Sequence, residues 1–327
     1  MCSKNEVVAD EEDPWIDLCG DQPIRFSSSM ATPTTKAPLP NGTVFGVFAS
    51  FQQGVIGSGI PASGSAATFT PNYMYNEDVH YNTGPSYNYA PVKYWPNNEE
   101  NTISFWAYSP YTETETFLKK HETNTNYSDN RIGIPDINFT LTDGKTDLMV
   151  THLNESAPYI VKDLSKPAVS GTVDLLFHHV LCKVNFVFRL STGGFDVNLT
   201  QIRFDHVHQT GTYNSYDSPS CWQNISGDGT FTAFSGTQAL STSDTAIDSV
   251  MLLPQTLDDP YEVNLHIVYT VDEDENSGDI VLSTKHASWD VNTQYTYTVT
   301  ITPGVPIMFS ADIKPWDEET GYYPLTL

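Results

Sequence analysis

Apolar and polar residues alternate along several stretches of the chain, most regularly in its second half. Every second residue is apolar, and the residues between are mostly polar, in the segments Val184, Phe186, Phe188, Leu190; Val263, Leu265, Ile267, Tyr269; and Tyr295, Tyr297, Val299, Ile301. A period of two places all the apolar side chains on one face of a β-strand. The pattern predicts antiparallel sheets with one solvent-exposed face, stacked as a sandwich or closed as a barrel.

The first half has shorter apolar segments, separated by long turn-rich stretches. Residues 24–26, 44–49 and 103–108 are predicted to form strands, whereas residues 52–92 consist mainly of Gly, Ser, Pro, Asn and Tyr. No helical periodicity connects successive strands, and a parallel β-α-β fold would require such crossover helices. We therefore expect an all-β protein.

Chain length and the positions of the turn-rich segments indicate the domain organisation. A chain of 327 residues exceeds the usual size of one domain, so we expect two. Residues 1–22 are acidic and lack regularly spaced apolar residues, which predicts a flexible tether. Residues 165–171 have the composition of a linker. We predict an N-terminal domain at 23–165 and a C-terminal domain at 166–327.

The charge of the chain excludes several classes of partner. Forty acidic residues against 15 basic residues give a formal net charge of −25. Polyanions bind proteins through Lys and Arg side chains that displace counterions, so neither nucleic acid nor an anionic lipid surface is expected to bind. The sequence also lacks a run of about 18 apolar residues, the minimum for a membrane-spanning helix. We expect contact with a membrane only through a covalently attached lipid.

The four cysteines have spacings that disfavour a zinc site, because no Cys-x-x-Cys pair occurs. Cys2 precedes a polar, acidic stretch, as in a lipoprotein whose signal peptide has been cleaved. Lipidation of Cys2 is one interpretation, and a near-terminal cysteine without a role is the other. Cys182 and Cys221 could form a disulfide, by analogy with secreted β-proteins, or remain two free thiols.

Histidine pairs and an acidic run are the candidates for metal binding. His206 and His208 would share one face of a strand, but no carboxylate completes a ligand set by its spacing. We expect these two residues, and the pair at 178–179, to have structural roles. The acidic run at 272–279 lacks the Gly and Glu that an EF-hand loop requires at positions six and twelve. It is predicted to form a hairpin turn instead.

Catalytic motifs are also lacking. Glycines follow the strand at 44–49, but they have neither G-x-G-x-x-G spacing nor a following helix, and no G-x-S-x-G motif occurs. Paired glycosidase carboxylates have no characteristic spacing in sequence, because their separation is set in three dimensions. We predict a protein without enzyme activity, with no catalytic residues, no metal site and no cofactor.

Six tyrosines are concentrated in a loop-like part of the sequence: Tyr73, Tyr75, Tyr81, Tyr87, Tyr89 and Tyr94. An aromatic ring with a polar tip suits recognition of a sugar or a protein. The alternative, which we favour, is that these rings pack the loops onto the core of the first domain.

The order of these landmarks resembles the fimbrillin family, the type V pilins of certain Gram-negative anaerobic bacteria. The matching segments span nearly the whole chain: Cys2, 24–26, 34–37, 42–49, 94–96, 103–110, 147–149, 176–179 and 297–299 through Trp316. Each segment is short, and their order and spacing together carry the resemblance.

The resemblance implies two transthyretin-like or Greek-key β-sandwich domains in tandem. Fimbrillins mature as lipoproteins, a protease cuts the loop after the first strand, and a strand of a neighbouring subunit fills the vacated groove by β-augmentation. In this sequence the removable strand corresponds to residues 23–27 and the cleavage loop to residues 28–42. That loop offers Lys36 as the candidate processing site, whereas family members commonly present Arg.

Two alternating apolar segments are candidates for the donor strand. One consists of Ile307, Phe309, Ala311 and Ile313, and the other of Tyr323, Leu325 and Leu327.

The resemblance implies a cell-surface function, as a structural, tip or anchor subunit of an outer-membrane fimbrium. The expected partners are other pilin subunits, joined by strand exchange, and a maturation protease, with a host glycan or protein as a further ligand. The alternative is a monomeric surface adhesin or glycan-binding lipoprotein that uses the tyrosine-rich loops.

Overall fold

The computed structural model describes residues 19–30, 37–40, 42–52, 73–81, 87–98, 101–113, 134, 136–151, 161–169, 172–213, 221–258 and 260–316. The described part of the chain is built from β-strands. The strands of the first half are β1 (Cys19–Pro23), β2 (Phe26–Met30), β3 (Ala37–Pro38), β4 (Val44–Gln52), β5 (Met74–Tyr81), β6 (Tyr87–Asn88), β7 (Tyr94–Pro96), β8 (Thr102–Ser109), β9 (Ile137–Thr140), β10 (Met149–Val150), β11 (Val161–Leu164) and β12 (Val173–His179).

The remaining strands are β13 (Cys182–Leu190), β14 (Val197–Val207), β15 (Thr210–Tyr213), β16 (Trp222–Ser226), β17 (Gly229–Ala239), β18 (Thr245–Leu252), β19 (Gln255–Thr256), β20 (Asn264–Val271), β21 (Asp274–Val281), β22 (Ser288–Trp289), β23 (Thr293–Ile301) and β24 (Met308–Pro315). A 3-10 turn at Leu282–Thr284 follows β21. Among the described residues, no helix has the length and apolar character needed to cross a bilayer. The predicted all-β class is confirmed, and the finer assignment to tandem transthyretin-like or Greek-key sandwiches stays a prediction.

The chain divides into two compact units. Unit 1 contains the described residues within Met1–Asn138, Leu148–His178 and Tyr213–Cys221. Unit 2 contains those within Phe139–Asp147, His179–Thr212 and Trp222–Leu327. The domain boundary predicted between residues 165 and 166 stays a prediction.

Unit 1 is organised around a nine-stranded sheet in the order β3-β2-β12-β10-β8-β4-β5-β6, with β11 also pairing with β8. The central strand β8 is buried at all eight positions, on both faces. Its sequence is accordingly apolar or small throughout, whereas an alternating strand would have one wet face. The core of this unit includes Ile24, Phe26, Phe45, Phe105 and Phe177.

Unit 2 contains two four-stranded sheets, ordered β18-β13-β23-β24 and β17-β14-β20-β21. Phe186 on β13 lies 5.9 Å from Phe204 on β14, measured between ring centroids, so these two sheets face each other across a common core. The predicted alternation is observed: on β13 Cys182, Val184, Phe186, Phe188 and Leu190 are buried and the residues between them are more exposed.

Two strand pairs correct the prediction of purely antiparallel sheets. Strand β12 pairs with β2 in parallel, and β13 pairs with β23 in parallel. Parallel partners require a long connection, and each of these pairs is separated by more than a hundred residues that form other strands in between. Short-range alternation does not encode this choice of partner.

The acidic run contains the predicted hairpin turn, but the turn is shorter than predicted, because residues 274–279 belong to β21. Strands β20 and β21 pair up to Val271 and Asp274, so Asp272 and Glu273 are the two loop residues. Both have positive φ angles, of 49° and 74°, as a type I′ turn requires.

Candidate functional site

Strand β2 buries an alternating set of side chains in the core of unit 1. Ile24, which precedes the strand, is 1% exposed, Phe26 is fully buried and Ser28 is 9% exposed. The ring of Phe26 contacts Tyr89 at a centroid distance of 5.6 Å and Phe105 at 5.7 Å. Removing this segment would therefore open an apolar groove with a deep position for an aromatic ring.

Main-chain hydrogen bonds hold the segment on both sides. The amide of Val173 donates to the carbonyl of Arg25 at 2.7 Å, at the start of the parallel ladder with β12. On the other side, the amide of Ile24 donates to the carbonyl of Lys93 at 2.9 Å, and the hydroxyl of Tyr89 donates to the carbonyl of Ile24 at 2.9 Å. Burial raises the pKa of Tyr89, which keeps this donor protonated.

The strand lies next to the edge of its sheet. Its outer neighbour β3 pairs only with Ser29 and Met30. Earlier in the strand, Ser27 donates to the carboxylate of Asp174 on β12 at 3.3 Å. The predicted removable strand, residues 23–27, overlaps this element, but the structure places the strand at Phe26–Met30. A separate strand, β1, begins at Cys19 within the predicted tether and pairs with β7.

Strand β24 carries the predicted donor residues at the edge of a sheet in unit 2. It pairs along its length with β23, which places Phe309 opposite Val299 and Ala311 opposite Tyr297. These side chains share the core-facing side of the sheet, yet Ile307, Phe309 and Ala311 are only half-buried. Of eight large exposed hydrophobic residues among those described, three lie in or beside this strand: Val305, Met308 and Ile313.

Two contacts anchor β24 in its own unit. The side chain of Ile307 packs against Gly278 of β21, where an added Cβ would come within 2.5 Å of the Ile307 Cδ1 atom. At the other end, the Trp316 ring stacks on His179 at 3.8 Å with an interplanar angle of 3°. His179 is itself oriented by Asp147, whose carboxylate lies 2.9 Å from Nδ1. The structural role expected for His179 is consistent with this stack, but the sequence did not indicate Trp316 as its partner, because the two residues lie far apart in the chain.

Two predicted site residues, Cys2 and Lys36, lie outside the described residues, as do the alternative donor residues Tyr323, Leu325 and Leu327 and the glycine-rich loop after Gln52. Lipidation of Cys2 and cleavage after Lys36 stay predictions.

The tyrosine-rich segment contributes mainly to the core of unit 1. Tyr89 is buried, while Tyr73 and Tyr81 are partly buried against the core cluster. The hydroxyl of Tyr73 donates to the carbonyl of Tyr94, and burial raises the pKa of Tyr73 to about 12. Tyr75, by contrast, is 40% exposed and contacts Phe48. The interpretation of these rings as packing groups therefore accounts for most of those whose side chains are described.

The histidines and cysteines considered for metal binding and a disulfide have separate environments. His206 contacts Asp228 through Nδ1, whereas the Nδ1 atom of His208 lies 2.7 Å from the carbonyl of Gly227. Within the described residues, no three His, Cys, Asp or Glu side chains are grouped closely enough to hold a metal ion. Cys182 and Cys221 are buried thiols that do not form a disulfide.

Solved structures with the same fold come from Bacteroides species. A fimbrial protein from Bacteroides vulgatus matches with a TM-score of 0.60 at 19% identity, covering 90% of this chain and 100% of the other. Proposed cell adhesion proteins match from Bacteroides ovatus, with a TM-score of 0.56 at 13% identity, and from Bacteroides uniformis, with 0.52 at 14%. Each of these two alignments covers 90% of this chain and 98% of the other. At such identities the likeness shows a shared fold.

Sequence comparison identifies the family. No curated protein sequence matches this chain. The profile of the family described as fimbrillin-like, however, matches residues 37–316, which is most of the sequence. The resemblance found in the order of the sequence landmarks is thereby confirmed, and the chain belongs to the fimbrillin-like family.

Proposed function

We propose that this protein is a non-catalytic fimbrial subunit of the bacterial cell surface that assembles by exchange of β-strands between copies. Membership of the fimbrillin-like family supports this role. The names of the structural neighbours, a fimbrial protein and cell adhesion proteins, agree with it. In this proposal, a lipid on Cys2 attaches the subunit to the outer membrane, and cleavage after Lys36 by a maturation protease releases the segment that contains β2.

The observation that carries the proposal is a repeated sequence. Residues 23–28 read Pro-Ile-Arg-Phe-Ser-Ser, and residues 306–311 read Pro-Ile-Met-Phe-Ser-Ala. Four of the six positions are identical, and the last position is a small residue in both. The first segment leads into and forms the start of β2, and the second leads into and forms the start of β24.

The two segments differ in burial. Ile24 and Phe26 are at most 1% exposed in the core of unit 1. Their counterparts Ile307 and Phe309 are only half-buried at a sheet edge. A groove shaped for an Ile, a Phe and a small residue at alternate positions would thus accept residues 307–311 of another copy and bury them more completely. Full burial of a Phe or Ile side chain contributes about 1.5–3 kcal/mol relative to full exposure, so each of these side chains gains part of that amount.

Backbone pairing also supports this register. The ladder between β2 and β12 begins at Phe26 and Val173 and runs in parallel. A donor with Phe309 at the position of Phe26 would remake the main-chain hydrogen bonds to β12 that are lost with β2, and would give up the bonds that β24 makes to β23 in its own copy. Exchange of one main-chain hydrogen bond for another is nearly neutral in free energy. The apolar burial gained then favours assembly.

Limited tryptic cleavage at Lys36, followed by native electrophoresis, tests the proposal. We expect cleaved protein to form a ladder of multimers, and the variant Phe309→Asp to remain monomeric, because a carboxylate would be buried in the Phe26 position. The matched control is Met308→Asp, which introduces the same charge one residue away on the outward, 57% exposed position. Thermal unfolding of the uncleaved variants checks that both still fold.

A peptide provides a second measurement that does not alter the protein. The synthetic segment 306–313 should cap cleaved subunits and shorten the ladder, whereas the same peptide with Asp at position 309 should not. If Phe309→Asp leaves the series of multimers unchanged, Phe309 does not occupy the position of Phe26 in the assembly. A cleaved protein that stays a stable monomer would contradict strand exchange and favour the monomeric surface adhesin.

A further inference from the structure

A polar cavity of about 550 Å³ opens in unit 2, on the sheet β17-β14-β20-β21. Its volume is within the range of small-molecule binding sites. The cavity lies on the face of this sheet that is turned away from the core. On β14, Ile202 and Phe204 are buried in the core, whereas Arg203 and Asp205 point to the opposite side of the sheet. The side chains that line the cavity include Arg203, Asp205, His206, Asp228, Asn264 and Asp279.

A β-bulge brings an additional side chain into this cavity. His206 has a φ angle of 64°, and the pairing of β14 with β17 shifts register between Phe204 and Val207. Regular alternation would place His206 on the core side, but Val207 is fully buried instead and His206 lies beside Asp205 in the cavity wall. A left-handed backbone conformation at a non-glycine residue is unfavourable, and such strain is concentrated at functional sites.

One salt bridge and two imidazole–carboxylate contacts hold the side chains of the cavity in place. Arg203 binds Asp205 through two hydrogen bonds, of 2.8 and 2.9 Å. The Nδ1 atom of His206 lies 2.8 Å from the carboxylate of Asp228. Next to the cavity wall, His266 contacts the Asp279 carboxylate at 2.5 Å. A bidentate pair and carboxylate-oriented imidazole rings form a pre-organised surface, which lowers the entropic cost of binding a ligand.

The charges of the cavity restrict the class of ligand. Three carboxylates, Asp205, Asp228 and Asp279, outnumber the one permanent cation, Arg203. Together with the net charge of −25, this arrangement repels phosphates, sulfates and acidic sugars. The wall is also too polar for a lipid or a peptide of apolar residues. It offers hydroxyl-binding groups of both kinds, namely carboxylate acceptors and the donors of Arg203 and Asn264.

An exposed aromatic ring lies beside the cavity. The ring of Tyr261 is 5.3 Å from that of His206, measured between centroids, and Tyr261 is 54% exposed. An exposed ring with a polar tip suits contact with the apolar face of a pyranose. Tyr261 lies outside the tyrosine-rich segment at residues 73–94.

We propose that this cavity is a binding site for a neutral saccharide, with Tyr261 contacting the ring of a terminal hexose and Asn264, Asp279 and Asp228 hydrogen-bonding its hydroxyls. The site lies on β14, β20, β21 and the start of β17, and it does not include the strands proposed for exchange. Saccharide binding and assembly can therefore be tested separately.

Saturation-transfer NMR with the uncleaved protein tests the site, using methyl glycosides of mannose, galactose and N-acetylglucosamine as probes at millimolar concentration. We expect at least one neutral glycoside to bind. Tyr261→Ala and Asn264→Ala should each weaken that binding at least tenfold. The matched control Asp274→Asn changes an exposed carboxylate on β21, the strand that also carries Asp279, and should leave the affinity unchanged.

Several results would overturn the proposal. They are no binding of any neutral glycoside, binding that Tyr261→Ala and Asn264→Ala leave unchanged, and binding of sialylated or sulfated sugars only. Loss of binding on addition of EDTA would also overturn it, because the proposed saccharide site requires no metal ion.

Discussion

His286 illustrates how a single half-buried side chain makes stability depend on pH. Its Nδ1 atom donates to the carbonyl of Ser288 at 2.9 Å, and its Nε2 atom accepts from the hydroxyl of Tyr297 at 2.8 Å. The same hydroxyl accepts from Trp289 Nε1 at 2.7 Å. This chain of bonds requires a neutral imidazole, and burial lowers the pKa of His286 below its ordinary value.

We predict that His286 reduces stability in acid. Above about pH 6.5 the ring is neutral in both the folded and unfolded states and contributes nothing to the pH dependence. As the pH falls below that value, the unfolded state takes up a proton that the folded state resists, so the free energy of unfolding decreases until the folded-state pKa is passed. Urea unfolding between about pH 8 and 5 should show a shallower decrease for His286→Gln than for the wild type.

The exposed histidine His80, which contacts Asp78 at 3.0 Å, provides the control. The variant His80→Gln should retain the acid dependence that is due to His286. Identical pH profiles for the wild type and His286→Gln would contradict the prediction.

Individual residues also show where sequence patterns are informative. The alternation at Val184, Phe186 and Phe188 predicts buried side chains correctly, because the direction of a side chain in a regular strand depends only on its neighbours. At His206 the same rule fails, because a bulge reverses the side chain. Nothing in the residues around His206 distinguishes this position from regular strand.

Strand and turn elements are similarly well predicted where the signal is local. Apolar residues flank the acidic run at 272–279, and the structure places the turn at its first two residues. Neither of those residues is glycine, although both have positive φ. The hairpin therefore retains strain that glycine would relieve.

We predict that Glu273→Gly stabilises the protein. Glycine removes the steric cost of the left-handed conformation, which stabilises the folded state. It also raises the entropy of the unfolded chain, which offsets part of this gain. Because the steric effect is the larger of the two, the free energy of unfolding should increase by roughly 0.5–1 kcal/mol. Chemical denaturation measures this change.

The matched control is Glu275→Gly, two residues later in β21 and paired with Thr270. Its backbone is that of a regular strand, so glycine should decrease stability by roughly 0.5–1 kcal/mol there. If glycine changes the free energy of unfolding equally at positions 273 and 275, the left-handed conformation of residue 273 does not reduce stability.

The net charge acts on the whole protein and on contacts between copies. Each copy has a formal charge of −25, so two copies repel each other as they approach. The screening distance falls from about 30 Å at 0.01 M salt to about 8 Å at 0.15 M.

We predict that multimers of cleaved protein form faster as sodium chloride is raised over this range. Native electrophoresis of timed samples measures the rate, and sucrose in place of salt controls for general solvent effects. A rate that decreases with added salt would indicate that attractive charge contacts, and not apolar burial, drive assembly.

The sequence by itself determined the all-β class, the core-facing positions of the regular strands and the family. These depend on period-two alternation, on turn residues and on the order of short motifs, all of which can be read locally. The likeness between residues 23–28 and 306–311 is also present in the sequence. Its meaning becomes clear only from the structure, in which the first segment is buried and the second is partly exposed.

Only the tertiary structure decided which distant strands are partners. It pairs β2 with β12 and β13 with β23 in parallel, and it recruits β1 from the predicted tether. It also assembles the cavity from residues between Arg203 and Asp279, which lie on four strands and in the turn before β17. The physical reason is that the choice of partner depends on the burial and hydrogen bonding of the complete sheet. Each segment supplies only one of the two strands in a pair, so its local sequence does not specify the other.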